Sequence, residues 1–480
     1  MLKQFIVALA LIVCTGLQAR AAESELQQIA DALDVSTTKT FQFTANGSMY
    51  NLGQNVNPAA PWPRFFVKSF TRLYDFTAGS MSDDVTRMAA DPPTVGPEQR
   101  VLTSVSGDHA WNGTGKETAP RLFEAPQRAH EIVISPHGLV RAAFASNATV
   151  TKKNIDGRPM TIISFTYQGK DKVVAYANDQ NALERVESSY GHPIVGDMKV
   201  LTYYGPYREF AGVKLPTKII QYQDGLATLD LTVTAVRANP PVDIQVPSDV
   251  QSEPVPVKSE KVADGVWYIT GVGNNSALIE MKDYLIVVEA PHGERRSLAV
   301  LGEVKKLVPN KPIKYLVNTH HHFDHASGVR TYAAEGVTIV THEVNRPYFE
   351  RAALNSWTLA PDRLAKSKKK PVFQTMGDNM VLTDGTRSVE LYQIVGNPHH
   401  DGIIMAYLRK EKLLIEADVY TPLAPGAEPP KVPNPQAVNL ESNVRRLGLE
   451  VDRIVSIHGR VVPYSELLAI IGKKPAPAKN

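Results

Sequence analysis

Four histidines and one aspartate fall within six consecutive positions, His320, His321, His322, Asp324 and His325, in the stretch Asn318-Thr319-His320-His321-His322-Phe323-Asp324-His325. Imidazoles and a carboxylate held close together are the donors for a metal ion of intermediate softness. Zinc is the first expectation, and iron or manganese suit the same ligands. The apolar residues Ile313, Tyr315, Leu316 and Val317 come before the cluster and predict a buried strand. The small residues Ala326, Ser327 and Gly328 follow it, and a helical pattern then runs from Val329 to Glu335. The donors therefore occupy a loop between a strand end and a helix start. His321, between two candidate ligands, is expected to point away and to pack or support.

Further polar groups each come where a predicted strand ends. Glu289 closes the strand Tyr284–Glu289, and His292 lies just beyond. His399 follows Ser388–Val395 and precedes His400-Asp401-Gly402, Asp418 follows Lys412–Ile415, and His458 follows Arg453–Ile457 and precedes Gly459. Polar groups gathered at the same ends of several strands make a site on one edge of a sandwich. His400 and His292 are candidate substrate contacts.

The elements that must position these groups begin near Lys258. Short strands are predicted at Val266–Thr270, Ser276–Met281 and Tyr284–Glu289, then a helix at Arg296–Leu307. After the histidine loop come strand Val337–Thr341, a helical region over 345–368, and strands at Met380–Leu382, Ser388–Val395, Gly402–Leu408 and Lys412–Ile415. Helix Gln436–Leu449, strand Arg453–Ile457 and helix Tyr464–Ile471 complete the region. Strand clusters interleaved with helices in two successive halves predict two sheets inside and helices outside.

The first half reads differently. Leu26, Ile29, Ala30 and Leu33 recur at helical spacing, and from Phe41 the apolar period becomes two. Alternating stretches continue through Ala227–Val236, with a turn at Tyr207–Val213 in which Gly212 supplies positive φ. One broken helix is expected over Gln127–Arg141 because Pro136 and Gly138 interrupt it. The chain is thus a two-domain α+β protein: an antiparallel β domain with one or two helices over 23–238, a proline-rich linker over 239–257, a second domain with the histidine loop over 258–472, and a disordered Lys/Pro/Ala tail over 473–480. The aromatic-rich strands of the first half resemble periplasmic lipoprotein-carrier folds, in which a curved sheet covers an apolar cavity.

Lys3, the apolar run Phe5 to Val13 and Ala19-Arg20-Ala21 form an export signal over 1–22, cleaved after Ala21 or Ala22, so the mature protein is expected in the periplasm or secreted. Cys14, the sole cysteine, would leave with it, so no disulfide is expected and any metal must be held by histidine and carboxylate. The run is too short for a membrane span, and none is expected after processing. The net charge of +3 falls to about +1 without Lys3 and Arg20, which gives no electrostatic case for nucleic acid or a membrane surface. The expected partner is a small-molecule substrate, and the oligomeric state is open.

From about Lys258 to Gly472 the chain resembles the metallo-β-lactamase superfamily. His320, His322, Asp324 and His325 match the motif His-x-His-x-Asp-His, and His399, Asp418 and His458-Gly459 match its later positions in order. The resemblance implies an αβ/βα four-layer sandwich. It also implies a pair of metal ions, expected to be zinc: one held by His320, His322 and His399, the other by Asp324, His325 and His458, with Asp418 bridging. It implies a hydrolase in which hydroxide between the metals attacks an ester, lactone, thioester, amide or phosphodiester-type substrate. Asp324 would be the catalytic residue, orienting the nucleophile and accepting its proton. Glu289 stands where the family often has Asp, and His400 where it often has Ser or Thr. Two alternatives stand beside the hydrolase: an oxidoreductase of sulfur compounds with a single iron at His320, His322 and His399, and a non-enzymatic ligand-binding protein.

Overall fold

The computed structural model describes residues 23–473 except 91–97, 115–117, 211, 252–254 and 272. The expected export signal and nearly all of the expected tail lie outside the described residues. Lys473 is within them: its amide donates to Leu468 O (2.8 Å) and extends the turn that ends the last helix.

The first half is a thirteen-stranded antiparallel sheet. Six strands from Thr40–Tyr50 to Ala119–Pro120 run outward as a meander on one side, and those from Thr149–Ile155 to Leu226–Ala238 fill the other. The seam is the pairing of Thr40–Tyr50 with Leu226–Ala238, which brings Phe43 opposite Val236 across most of the domain's sequence. Alternation explains the sheet's inner face: Phe41, Phe43 and Ala45 are buried and pack with Phe70, Tyr74, Met81, Val85 and Val105. The helix over 23–32 and two further helices, Ala125–Ile134 and Pro136–Ala145, cover the sheet. The expected break is thus sharp enough to make two helices. Ser135 Oγ donates to Ile132 O (2.7 Å) and accepts from Gly138 N (3.2 Å), and Pro136 sits in the first turn of the second helix, where its missing N–H costs nothing.

Between Ala238 and Val257 the described residues form neither helix nor strand. The second half then builds two sheets. The first places Val257–Ala263, Val266–Gly271, Ser276–Glu280 and Leu285–Val288 in antiparallel order, followed by Ile313–Val317, Thr338–His342 and Val372–Met376 in parallel. The second sheet orders Asn379–Thr383, Ser388–Gln393, Ile404–Leu408, Leu413–Glu416, Arg453–Ser456 and Val461–Pro463. Ile286, Val288, Val317 and Val340 of the first sheet share a core with Leu391, Ile404, Ile415 and Val455 of the second. Val300 and Val304 of helix Gly293–Leu307 pack on the far face of the first sheet. Leu440, Val444 and Leu467, from helices Pro435–Arg446 and Tyr464–Ile470, pack on the far face of the second. Leu285–Val288 and Leu413–Glu416 are buried throughout because both their faces are covered.

The region 345–368 is not one helix. It forms Arg346–Leu354 and Arg363–Ser367, and the intervening residues dock on the first half. There Asp197 accepts from Thr358 N (3.0 Å), Thr358 Oγ1 (2.7 Å) and Leu359 N (3.0 Å), and Asn355 Nδ2 donates to Val195 O (2.8 Å). Ile194, Val195, Phe323, Val329 and Phe349 belong to one apolar cluster, so a continuous core joins the halves. No helix among the described residues is long and apolar enough to cross a membrane.

Three buried histidines of the first half set a pH limit. Burial pulls His130 and His192 down to about 3 and His137 to about 4, and neither ring nitrogen of His130 has a hydrogen-bond partner. Unfolded histidine binds its proton near pH 6.5. The unfolded chain therefore takes up protons first, and stability present above about pH 6.5 is lost as pH falls toward 4. Chemical unfolding followed against pH should show this loss, on the order of several kcal/mol, and His130→Phe should make it shallower. An unchanged slope in that variant would remove His130 from the account.

Candidate metal centre

The first donors are set by strand Ile313–Val317. Asn318 N continues its ladder by donating to Val340 O (2.9 Å), and the chain then turns through His320 and His322 into the one-turn helix Phe323–Ala326. His325 N and Ala326 N both donate to His322 O, at 3.0 and 2.8 Å. Glu289 lies beneath this loop, fully buried. One carboxylate oxygen accepts from Thr319 N (2.7 Å) and the other meets His325 Nδ1 (2.6 Å). That bond directs His325 Nε2 away from Glu289 and toward the remaining donors.

Those donors arrive on the second sheet's ends. Asp418 follows Leu413–Glu416 in a turn whose amides, Val419 N and Tyr420 N, donate to the buried Glu416 Oε2 at 3.3 and 3.1 Å. His458 follows Arg453–Ser456, and its turn is pinned by Tyr268 Oη and Asn275 Nδ2. Tyr268 Oη donates to Ser456 O at 2.7 Å, and Asn275 Nδ2 to Ile457 O at 2.9 Å. His399 N donates to Asn397 Oδ1 (2.8 Å) and its ring Nδ1 faces Gln436 (3.3 Å). Glu289 (φ 72°) and Asp418 (φ 65°) both take left-handed backbone, a strain of about 1 kcal/mol each that the surrounding bonds hold in place.

Seven donors converge in two groups. His320, His322, His399 and Asp418 form one and Asp324, His325 and His458 the other, with the ligand atoms of each group all within 4.8 Å of one another. Asp418 joins the groups. Its Oδ2 lies 3.0 Å from His320 Nε2, 3.0 Å from His399 Nε2 and 2.8 Å from His325 Nε2, and its Oδ1 contacts His458 Nε2. Burial would raise Asp418, but His325, His458 and His399 outweigh it and hold the carboxyl well below its usual range. Burial would likewise raise Asp324, and His325, His458 and Arg121 keep it low. Burial holds His320 neutral, pulling it down to about 4, and pulls His322 well below its usual range.

A metal cation fits this set of donors. His320 Nε2 and His322 Nδ1 are buried without a hydrogen-bond partner, whereas the opposite nitrogens are engaged, His320 Nδ1 by Thr319 Oγ1 (2.9 Å) and His322 Nε2 by Asn55 O (3.0 Å). Neutral imidazoles with one nitrogen fixed and the other bare, beside ionised carboxylates, are the donor states a cation requires.

His400 and His292, expected as substrate contacts, are placed otherwise. His400 is fully buried, its Nε2 against His321 Nδ1 (2.6 Å) and its Nδ1 accepting from Gly402 N (2.9 Å). With both nitrogens used, it braces His321, which points away from the donors as expected. His292 is buried against Phe123 (5.0 Å) and accepts from Asn274 N (2.9 Å). Asn274 Nδ2 in turn donates to Asp324 Oδ2 (3.1 Å), so His292 acts on the centre through Asn274.

Sequence reasoning missed the contribution of the first half. The loop joining Thr40–Tyr50 to Arg64–Asp75 reaches the centre. Gln54 Nε2 donates to Asp324 Oδ1 (2.7 Å), Asn55 Oδ1 meets His321 Nε2 (2.9 Å), and Val56 O accepts from Asp401 N (2.8 Å). Phe323, inside the donor loop, packs on His192 (4.4 Å) and beneath Gly53. Gly53 has φ 69°, and a Cβ there would lie 2.2 Å from the Phe323 ring. No motif marks this loop, because its partners lie some 270 residues away.

Gly53→Ala should therefore push this loop off the centre and lower stability by roughly 1–3 kcal/mol, read as a drop in melting temperature. Asn55→Ala should cost about 1–3 kcal/mol by leaving the buried His321 Nε2 unpaired. Wild-type melting in both variants would show that the loop does not clamp the donors.

The sequence profile of the Metallo-beta-lactamase superfamily matches residues 269–455. Among solved structures, the chain is similar to a metallo-β-lactamase from Pontibacter korlensis, at 18% identity over 45% of this chain and 98% of that one (TM-score 0.36). It is similar to the metallo-β-lactamase FIM-1 from Pseudomonas aeruginosa at 17% identity over 46% and 96% (TM-score 0.36). It is also similar to the rubredoxin:oxygen oxidoreductase of Desulfovibrio gigas at 16% identity over 45% and 61% (TM-score 0.35). The C-terminal half of this chain belongs to the metallo-β-lactamase superfamily.

Proposed function

We propose that the protein is an exported metal-dependent hydrolase with a two-ion centre, which cleaves a small ester, lactone, thioester, amide or phosphodiester. The observation that carries this is the convergence of two donor groups on the shared carboxylate of Asp418. A centre for one ion has no need of Asp324, His325 and His458 in addition to His320, His322 and His399. We read the second half as an αβ/βα four-layer sandwich spanning 258–472, the first half as a separate domain over 23–238, and 239–257 as the linker between them.

Zinc is the expected metal, and bound metal ions would lower the pKa of a water and polarise the substrate oxygen. The chain's own residues do the rest. Asp324 borders a cavity of about 420 Å3, with one oxygen held by Gln54 and the other by Asn274. Its carboxylate is thus presented in a single orientation, where it can hold and align the attacking water. The neighbouring histidines and Arg121 keep it ionised and make it a weak proton acceptor. Glu289, an acceptor, makes His325 Nδ1 the donor, and Thr319 Oγ1 holds the ring of His320 in place. The water oxygen bonds to the acyl carbon or phosphorus, the bond from that atom to the leaving group breaks, and the proton the water loses passes through solvent to the leaving group.

The test uses mature protein recovered from the periplasm, expected to begin after Ala21 or Ala22. Metal analysis should find two zinc ions per chain. Asp324→Ala and His458→Ala should each remove one ion and lower kcat/KM for the best of a lactone, thioester, β-lactam and phosphodiester panel by roughly 1,000-fold or more, about 4 kcal/mol. Full metal and full activity in both variants would refute the second site. One iron per chain in the wild type would favour the oxidoreductase.

A further inference from the structure

The cavity that Asp324 borders extends into the first half. Its walls include Met49, Phe70, Arg72, Asp83, Arg87, Arg121, Glu124, Arg128 and Glu131. An apolar chamber, as in lipoprotein carriers, is not what opens onto the centre. The apolar side chains Phe41, Phe43, Tyr74 and Val85 pack on one another in the domain core, and the open space is ringed by charge.

Nearly all of that charge is neutralised internally. Arg72 forms a fork with Asp83 (2.7 and 2.8 Å) and also bonds Glu131 (3.0 Å). Arg121 pairs with Glu124 (2.6 Å), which also takes Arg128. Arg87 differs. Its guanidinium lies over the Phe65 ring at 4.2 Å, its Nη1 meets only Met49 Sδ (3.8 Å), and its buried Nε has no hydrogen-bond partner. Among the described residues no carboxylate pairs with it. A cation taken largely out of water without a counter-charge is costly, and the guanidinium fork matches a carboxylate in shape as well as charge.

Arg87 also lies within reach of the centre. Arg87 and Asp324 line the same cavity, and Met49, which touches Arg87, and Gln54, which touches Asp324, line it with them. A single small molecule of the size this cavity holds can bridge the two.

We propose that the first half is the substrate-recognition domain of the hydrolase, and that Arg87 receives a carboxylate on the substrate while the bond to be cleaved lies at the metal centre. The substrate is then an anionic compound, with its carboxylate several bonds from an ester, amide or related linkage. This rests on the hydrolase proposed above, and the test separates the two.

The probes are 4-nitrophenyl half-esters of adipic, suberic and sebacic acids, each against its neutral counterpart, the hexanoate, octanoate or decanoate ester. The metal-loaded protein should favour at least one charged ester by tenfold or more in kcat/KM. Arg87→Gln should abolish that preference through a raised KM for the charged esters, and Arg87→Lys should keep part of it. Calorimetric titration with those of the corresponding half-amides that chromatography finds uncleaved reads binding without turnover, and it should weaken at least tenfold in Arg87→Gln. Arg87→Gln should melt no lower than wild type, since it breaks no ion pair; if it does not fold, Arg87→Lys and the wild-type preference carry the test. Turnover of both ester types without preference, or half-amide binding that is absent or insensitive to Arg87, overturns the proposal and leaves the hydrolase standing. Half-amide binding lost in Arg87→Gln with no ester turned over supports the pocket and counts against the hydrolase.

Discussion

The carboxylate of Asp418, ringed by the nitrogens of four histidines, is the interaction on which the rest of this molecule depends. A buried anion needs cations around it, and the imidazoles that face it include His320, which burial keeps from protonating. Burial would lower His325, but Asp418, Asp324 and Glu289 raise it well above its usual range, so it offsets part of the buried charge, and a bound metal cation would offset the rest. Everything nearby serves to keep the donors pointed inward: Glu289 behind His325, Thr319 behind His320, Asn55 behind His322, and the Glu416 turn that holds Asp418.

The same constraint explains why two halves of different architecture share one core. Donors on loops are only as rigid as their supports. The two-sheet half supplies the donors from four strand ends, and the sheet of the other half closes on them with the loop that carries Gly53, Gln54 and Asn55. Phe323 is the joint. It sits between two donor residues, yet its ring packs on His192 and under Gly53. One short loop thus braces the donor residues on one side and borders a charged cavity on the other.

How much of this could be read in advance depended on where the information lay. The donors were legible because each follows a short apolar run with small or turn residues after it, which places it on a strand end whatever the rest of the fold. Glu289 was legible as a polar group at a strand end for the same reason, and only its burial against Thr319 and His325 reveals it as a support. The N-terminal contacts were not, because Gln54 and Asn55 are ordinary loop residues and only the tertiary fold brings them to Asp324 and His321. His400 reads as a free histidine beside a ligand, and only burial reveals that both nitrogens are spent. The strand Thr149–Ile155 escaped notice because it is a polar edge strand whose residues stay mostly exposed and carry no alternation. The helical pattern over 345–368 overran because residues 355–362 gain more by docking on Asp197 and Val195 than by continuing the helix.

The measurement that tests the account most directly is anomalous scattering at the metal edges from crystals of the protein purified without added metal. The account predicts two peaks on either side of Asp418, one among His320, His322 and His399 and the other among Asp324, His325 and His458. A single peak at the three histidines, with the second group empty at full activity, would contradict it.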